Sequence, residues 1–334
     1  MIARVPRGFV PYLLLLPGIG WLLLFYVYPA VQLFLVSLWT GTLTQGYQQT
    51  WNFGIYAEGF SEYWPWIVRS AAYGGLATIL TFLLGYPLAY TIAFKGGRFK
   101  NLLLFLVIAP FFTSFLLRTL SWKIILADNG ILLGPLKEVG LLPDEFQVLA
   151  TPLAVIAGIP YNLLPFMTLP LYVAIEKVDF RLLEAAKDLY AGPWRPGGTM
   201  VGAIIGGVLF ALASVVLGGA PIVPAIVGAV AGAIVGTFLI SEAFVRITFP
   251  LSLPGVFAGS LLTFIPAVGD FINAELLGNP QSQMIGNVIQ ARFLEITDYP
   301  MASALSFILM AAIIIGVLLY ARILGTEELT GGRA

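Results

Sequence analysis

Long apolar stretches alternate with short polar segments along the whole chain. The segment 8–57, for example, contains no charged residue. A helix of about 20 apolar residues crosses the hydrocarbon core of a bilayer, and several stretches reach that length. The pattern predicts six membrane-spanning helices, at residues 11–37, 70–94, 101–120, 149–174, 254–277 and 301–323. We therefore expect an all-α, polytopic membrane protein.

The composition agrees with a membrane location and excludes several kinds of functional site. Hydrophobic residues make up 59% of the chain and charged residues 10%, and the mean hydropathy is +0.93. The net charge is zero, so nothing suggests a nucleic-acid partner. The chain has no Cys and no His, which excludes disulfide, thiol and imidazole chemistry and leaves no plausible zinc site. We expect no cofactor.

The basic residues predict the orientation. With the N-terminus inside, 12 of the 17 basic residues fall in cytoplasmic segments, as the positive-inside rule favours. They are Arg4, Arg7, Lys95, Arg98, Lys100, Lys177, Arg181, Lys187, Arg195, Arg246, Arg322 and Arg333. Both ends of the chain are then expected in the cytoplasm, and so is the segment that follows the fourth predicted span.

That cytoplasmic segment begins with a short helix. Asp179 is a good N-cap residue, and Gly192 with Pro193 can end the helix. Ala185 and Ala186 give the helix a low-profile spot that a second protein can approach closely. The alternative is an ordinary helix lying on the membrane surface, since short capped helices are common.

Two separated segments, 184–190 and 243–255, resemble one motif when they are placed end to end. Together they resemble the EAA motif of ABC-importer permease subunits: Glu-Ala-Ala, three residues, Gly, nine residues, Ile-x-Leu-Pro. Tyr190 replaces the family Gly, and Phe249 replaces the family Leu. The resemblance implies a helix at about 179–192 that docks on a cytoplasmic ATPase. The implied docking residues are Glu184, Ala185, Ala186, Asp188 and Leu189.

An apolar insert of 47 residues, 196–242, separates the two halves of the motif. Its two uncharged stretches, 201–218 and 222–240, are each just long enough to span a bilayer. Glycines spaced four residues apart allow the two helices to pack closely in lipid. We predict a transmembrane hairpin without a transport role. The permease domain proper would then comprise 1–195 and 243–334.

Charged residues inside a predicted span are functional candidates by default. Asp270 and Glu275 lie in the outer part of the fifth predicted span, about 140° apart around a helix. They would share a cavity only loosely unless the helix breaks near Gly269. The alternative is that they cap the outer boundary of the membrane. Trp122 and Tyr161 are candidates for cation–π contacts, or else are packing and interface residues.

Further segments look like those of spermidine/putrescine permeases, a subfamily of the ABC importers. They are 264–278, 284–287 and 117–119 with Trp122. The resemblance implies the type I ABC importer permease fold, with six core helices, in the cytoplasmic (inner) membrane. It also implies four protein partners in the lipid bilayer assembly: a second permease subunit, two ATP-binding cassette ATPases and an extracytoplasmic substrate-binding protein. Asp270, Glu275, Tyr161 and Trp122 become the candidate residues of a polyamine path.

Other functions fit the sequence less well than inward polyamine transport does. The chain has no G-x-x-x-x-G-K-[ST] phosphate loop, so ATP hydrolysis is expected on a separate subunit and the chain itself is not expected to be an enzyme. A secondary transporter would show internal repeats with interrupted spans in matching positions, and none is evident. The runner-up is an ABC permease for another solute, such as an aminophosphonate, thiamine or iron.

Overall fold

The computed structural model describes residues 10–140, 143–189, 199–200, 202–207 and 244–324. Helices dominate this part of the chain, and the strands described in it form one antiparallel hairpin, β1 (Trp39–Thr42) and β2 (Gly46–Gln49). The helical architecture predicted from the apolar stretches is confirmed.

The helices have the following bounds. They are α1 (Val10–Leu22), α2 (Tyr28–Ser37), α3 (Gly54–Lys95), α4 (Lys100–Ile108), α5 (Phe115–Ile125), α6 (Leu133–Glu138), α7 (Pro152–Glu176), α8 (Phe180–Leu189), α9 (Phe249–Val268), α10 (Ile272–Leu277), α11 (Ile285–Leu294) and α12 (Tyr299–Leu324). Short π-helical turns, Leu23–Val27 and Phe244–Thr248, join α1 to α2 and lead into α9. Residues 202–207 are helical as well.

Within the described residues, five helices are long and apolar enough to cross a membrane. They are Leu15–Ser37, Gly54–Lys95, Pro152–Glu176, Phe244–Val268 and Tyr299–Arg322. A sixth span results if the bent pair Gly97–Phe112 and Phe115–Ile125 is counted as one. The predicted six core spans are thereby accounted for. The predicted hairpin at 196–242 lies almost entirely outside the described residues.

The second span begins much earlier than the sequence predicted. The predicted start at residue 70, after a loop up to Arg69, is wrong. Helix α3 starts at Gly54 and runs without a break for 42 residues. Ile55, Tyr63 and Ile67 are buried at helical spacing, whereas Glu58 and Glu62 are exposed on the other face. This amphipathic pattern explains why the segment is helical.

The third and fifth spans are interrupted. In the third, Thr113 and Ser114 adopt extended backbone conformations, and the helices on either side meet at 94°. In the fifth, predicted as one helix over 254–277, α9 starts at Phe249 and ends at Val268, and α10 starts only at Ile272. The chain turns at 269–271, so Asp270 lies in a turn and not in a continuous helix.

The chain divides into two compact units, and the first contains the described residues up to Ile67 together with Val288–Ala312. Here the Tyr47 hydroxyl on the β-hairpin donates a hydrogen bond to the Thr297 carbonyl. Arg292 pairs with Asp298 at 2.9 Å and is also hydrogen-bonded to the Tyr63 hydroxyl. These bonds fix polar side chains that would otherwise be costly to bury.

The second unit contains the described residues of Val68–Asn287 and those from Ile313 onward. Helices α7 and α9 pack closely along their lengths within it. A Cβ at Gly255 would lie 2.5 Å from the Cβ of Ala174, and one at Gly259 would lie 2.9 Å from the sulfur of Met167. Glycines four residues apart therefore allow the two backbones to approach, as in other membrane helix pairs.

Candidate functional site

The predicted ATPase-docking helix is present as α8, directly after the membrane span α7. The Asp179 carboxylate accepts a hydrogen bond from the Arg181 amide at 2.9 Å, so Asp179 caps the helix as predicted. Glu184, Ala185 and Asp188 are exposed. Ala186 and Leu189 lie in the same helix. The exposed residues are available for contact with a second protein.

The connection from α7 to α8 is short and well anchored. Only residues 177–179 separate the two helices. Glu176, the last residue of α7, forms an ion pair with Lys100 at the start of α4, at 2.6 Å. The Lys100 ammonium also lies 5.1 Å from the ring centroid of Tyr172. The ion pair and the Tyr172 contact therefore connect the end of α7 to the start of α4, next to α8.

The two halves of the split motif lie together in space. Helix α8 contacts the π-helical turn Phe244–Thr248, which follows the insert. Phe249, which stands in place of the family Leu, lies with its ring centroid 6.0 Å from that of Tyr86 and 6.5 Å from that of Phe82. The larger side chain is accommodated in an aromatic cluster, so this departure from the motif does not disturb the packing.

A buried polar cluster surrounds the break between α9 and α10. Asp270 is only 9% exposed, and both of its carboxylate oxygens accept hydrogen bonds from Asn273. One oxygen bonds the backbone amide at 2.9 Å and the other bonds the side-chain amide. These hydrogen bonds hold Asp270 just before the first turn of α10 and stabilise its carboxylate.

Asn273 extends this cluster to two other helices. Its side-chain oxygen accepts hydrogen bonds from Thr119 on α5 at 3.2 Å and from the Asn162 amide on α7 at 3.4 Å. The Asn162 amide also donates to Thr119 at 3.2 Å. Sequence reasoning missed Asn162 and Asn273 as site residues, although an Asn in an apolar span is itself a signal. The triad Thr119, Asn162 and Asn273 fixes Asp270 relative to α5 and α7.

Glu275 has different surroundings from Asp270. It is exposed, and one of its oxygens accepts a hydrogen bond from Asn287 at 3.1 Å. The Asn287 amide also donates to the Phe271 carbonyl at 3.0 Å. Neither Asp270 nor Glu275 forms an ion pair with any residue that the structure describes. Asp270 therefore lies buried in the turn before α10, and Glu275 lies accessible within α10.

The two aromatic candidates are in contact with each other. The rings of Trp122 on α5 and Tyr161 on α7 meet edge to face, with centroids 5.7 Å apart. Tyr161 is 39% exposed, so its ring keeps an accessible surface next to the helices that carry the polar cluster. No described residues form a group of three acidic side chains that could hold a metal ion.

Comparison with known proteins gives close matches among transport proteins. No protein-family model matches the chain. The chain is 35% identical, over 299 residues and 88% of each protein, to the spermidine/putrescine transport system permease protein PotB of Haemophilus influenzae. It is 32% identical to PotB of Escherichia coli over 302 residues, which are 90% of this chain and 92% of the relative. The inner membrane ABC transporter permease protein YdcU of Escherichia coli is 26% identical over 254 residues, or 72% of this chain and 66% of the relative.

Solved structures share the fold at lower identity. A chain in the crystal structure of a bacterial ABC transporter involved in the import of the acidic polysaccharide alginate superposes with a TM-score of 0.64 and 18% identity. The match covers 95% of this chain and 96% of that one. A complex of a bacterial alginate ABC transporter with a pentasaccharide-bound periplasmic protein gives a TM-score of 0.63. At this identity the likeness shows the fold alone.

Proposed function

The chain belongs to the spermidine/putrescine permease family of ABC transporters, and we propose that it is the membrane subunit through which an ATP-driven importer moves a polyamine into the cell. The premise is its identity to the PotB proteins over about nine-tenths of its length. The chain is not itself an enzyme, and ATP hydrolysis belongs to another subunit. It resides in the inner membrane, and we place both of its ends in the cytoplasm.

The observation that supports a cationic substrate is the state of the two carboxylates at the helix break. Asp270 and Glu275 are held by amide groups of Asn273 and Asn287, and no described basic residue neutralises either of them. A carboxylate left without a cation inside a membrane protein is costly, and a substrate ammonium group relieves that cost. In the proposed path Glu275, which is accessible, meets the substrate first, and Asp270 supplies negative charge behind it.

The aromatic pair extends the proposed path. The exposed face of Tyr161, supported by Trp122, can attract an ammonium group through its ring electrons. A flexible polycation suits this arrangement of two carboxylates and an accessible aromatic ring, because its several ammonium groups can be bound one after another.

The proposed assembly has the composition that the family implies. A second permease subunit would pair with this chain, two ATPase subunits would lie on the cytoplasmic side, and a substrate-binding protein would deliver the polyamine from outside. The exposed residues of α8, together with Ala186 and Leu189, would contact an ATPase. The contact between α8 and Phe244–Thr248 supports this assignment, because it reunites the two halves of the docking motif.

Glu275→Gln tests the substrate path with little structural disturbance. The glutamine oxygen can still accept the hydrogen bond from Asn287, so the change removes charge alone. We expect uptake of labelled spermidine at low concentration to fall by about tenfold, or about 1.4 kcal/mol, because glutamine cannot form an ion pair with a substrate ammonium group. The exposed Glu295→Gln is the matched control and should transport normally. Equal uptake by both variants would remove Glu275 from the path.

Deletion of 196–242 tests the proposed domain organisation. Joining residue 195 to residue 243 restores the nine residues expected between the family Gly position and Ile247. A hairpin returns the chain to the side from which it started, so the later spans keep their orientation. We expect the shortened chain to assemble and to couple ATP hydrolysis to uptake, measured in proteoliposomes. Failure to co-purify with the ATPase would instead make the hairpin part of the assembly.

A further inference from the structure

Arg118, in the first turn of α5, is a buried cation that has no carboxylate partner among the residues that the structure describes. Its side chain is 7% exposed, and its Nε atom has no hydrogen-bond acceptor among the described residues. One terminal nitrogen is 3.5 Å from the Asn162 carbonyl, at the limit of a hydrogen bond. A buried charge with so little compensation is costly, and natural proteins rarely leave one in that state.

The guanidinium lies beside the sharp bend that precedes α5. Its central carbon is 6.0 Å from the ring centroid of Phe111 and 5.7 Å from that of Phe115. Both rings belong to residues at the bend. The positive charge therefore points toward the N-terminal end of α5, where Phe115 is the first residue of the helix.

The start of α5 adds to the positive potential. Ser114 is the N-cap residue, but its side chain makes no capping hydrogen bond, and the first turn of the helix contains no acidic residue. The first amide groups of a helix have no partner inside it and carry partial positive charge. The uncapped first turn and the Arg118 guanidinium both lie toward the N-terminal end of α5, and both favour a negatively charged partner.

Exposed apolar side chains flank this position. Phe112 is 79% exposed and Leu117 is 61% exposed, and Phe111 and Leu116 are each 48% exposed. Exposed apolar side chains alone are equally typical of a lipid-facing span, but arginine is enriched in the cores of protein–protein interfaces. We call this surface, residues 111–118, the bend surface.

We propose that the bend surface docks the second permease subunit, and that a carboxylate of that subunit pairs with Arg118 and the uncapped turn of α5. The inference rests on the proposed function, which supplies a second permease, and goes beyond it by assigning the contact surface. A side-chain carboxylate is small enough to reach a guanidinium that is 7% exposed. A lipid phosphate carries two ester substituents and needs a wider opening, so we assign the protein partner.

The proposed contact would also bear on transport. Arg118 reaches the backbone of Asn162, whose side chain binds Thr119 and Asn273, which in turn hold Asp270. Engagement of Arg118 by the second subunit therefore acts at one end of a hydrogen-bonded chain that ends at the candidate substrate carboxylate. Arg118 is a positioning residue in this scheme and does not touch the substrate.

Photocrosslinking in the assembled transporter tests the docking surface. The chain has no cysteine, so single Phe112→Cys and Leu117→Cys variants can carry a thiol-reactive photocrosslinker. Leu319→Cys, an exposed apolar position on α12, is the matched control. We expect Phe112→Cys and Leu117→Cys to give a product with the second permease, identified by mass spectrometry, and the control to give lipid adducts. Lipid adducts alone, or a product with another copy of this chain, would overturn the proposal.

Arg118→Met and Arg118→Lys test the charge itself in the same complex. The methionine variant keeps most of the side-chain volume but cannot bind a carboxylate, and it should lower the amount of second permease that co-purifies by at least fivefold. The lysine variant should recover part of the loss. The full chain expressed alone should have an unchanged or higher Tm with methionine, since a buried unpaired charge is removed; a lower Tm would indicate an internal structural role instead.

The wild-type complex distinguishes a failure of the docking proposal from a failure of the proposed function. If it contains a second permease and transports spermidine, but the bend-surface variants neither crosslink to that subunit nor lose it, the docking proposal alone fails. If the wild-type chain recruits neither a second permease nor an ATPase, the proposed function fails, and the docking proposal fails with it.

Discussion

A bulky side chain at position 185 should abolish substrate-stimulated ATP hydrolysis while leaving the permease folded. Ala185 is exposed on α8, so Ala185→Phe disturbs no internal packing, and the Tm should change little. If α8 docks on the ATPase, however, the ring prevents close approach. Loss of a central interface contact commonly amounts to 2 kcal/mol or more. We expect the stimulated rate in proteoliposomes to fall at least about tenfold, toward the basal rate.

Matched variants separate shape from charge on the same helix. Ala185→Ser keeps the small profile and should preserve coupling. Glu184→Lys reverses an exposed charge and should uncouple transport, whereas Glu184→Gln should have a smaller effect. If Ala185→Phe hydrolysed ATP at the wild-type stimulated rate, α8 would be an ordinary surface helix and the docking assignment would be wrong.

Replacing Asn273 by leucine should destabilise the protein and abolish uptake together. Asn273 is fully buried and donates two hydrogen bonds to Asp270, one from its side chain. Leucine has a similar volume but leaves a buried carboxylate oxygen without a partner. Leaving a buried polar group without its hydrogen-bond partner costs about 1–3 kcal/mol, and more when the group is charged. We expect a clear fall in Tm, measured in detergent, and no measurable spermidine uptake.

The double variant Asp270→Val with Asn273→Leu distinguishes a structural role from a transport role. Removing both polar partners is often far less destabilising than removing one, and Thr119 and Asn162 can still bond each other. The double variant should therefore be more stable than Asn273→Leu, yet still fail to transport. Transport by the double variant would place Asp270 outside the path, as a helix cap only.

The sequence predicted the features that depend on local pattern. The number of apolar spans follows from their lengths, because a bilayer imposes a minimum length on each helix. The helix that carries Glu184 follows from its cap at Asp179. The motif that identifies the family was recognisable although an insert divides it, because its two halves keep their spacing on either side. Homology then confirmed the family and the transport function.

The sequence predicted helix boundaries less well, since these depend on packing. Residues up to Arg69 were expected in a polar, aromatic loop, but those from Gly54 to Ile67 have a buried face that is set by packing within the first unit. The break at Thr113–Ser114 was not predicted, and a break near Gly269 was named only as the condition under which Asp270 and Glu275 share a cavity. Gly255 and Gly259 are four residues apart, and this spacing could have indicated the close packing of α9 on α7.

What the sequence determined by itself is therefore the membrane setting, the family and the types of residue available for chemistry. The tertiary structure alone decided which of those residues meet. Asn162 and Asn273 are 111 positions apart, and their hydrogen bond exists only because α7 and α10 pack together. Likewise, only packing shows that Arg118 is buried, with no counter-ion in the described part of the chain, while Glu275 is accessible. Charge and residue type are local properties, but burial and partnership depend on the whole fold.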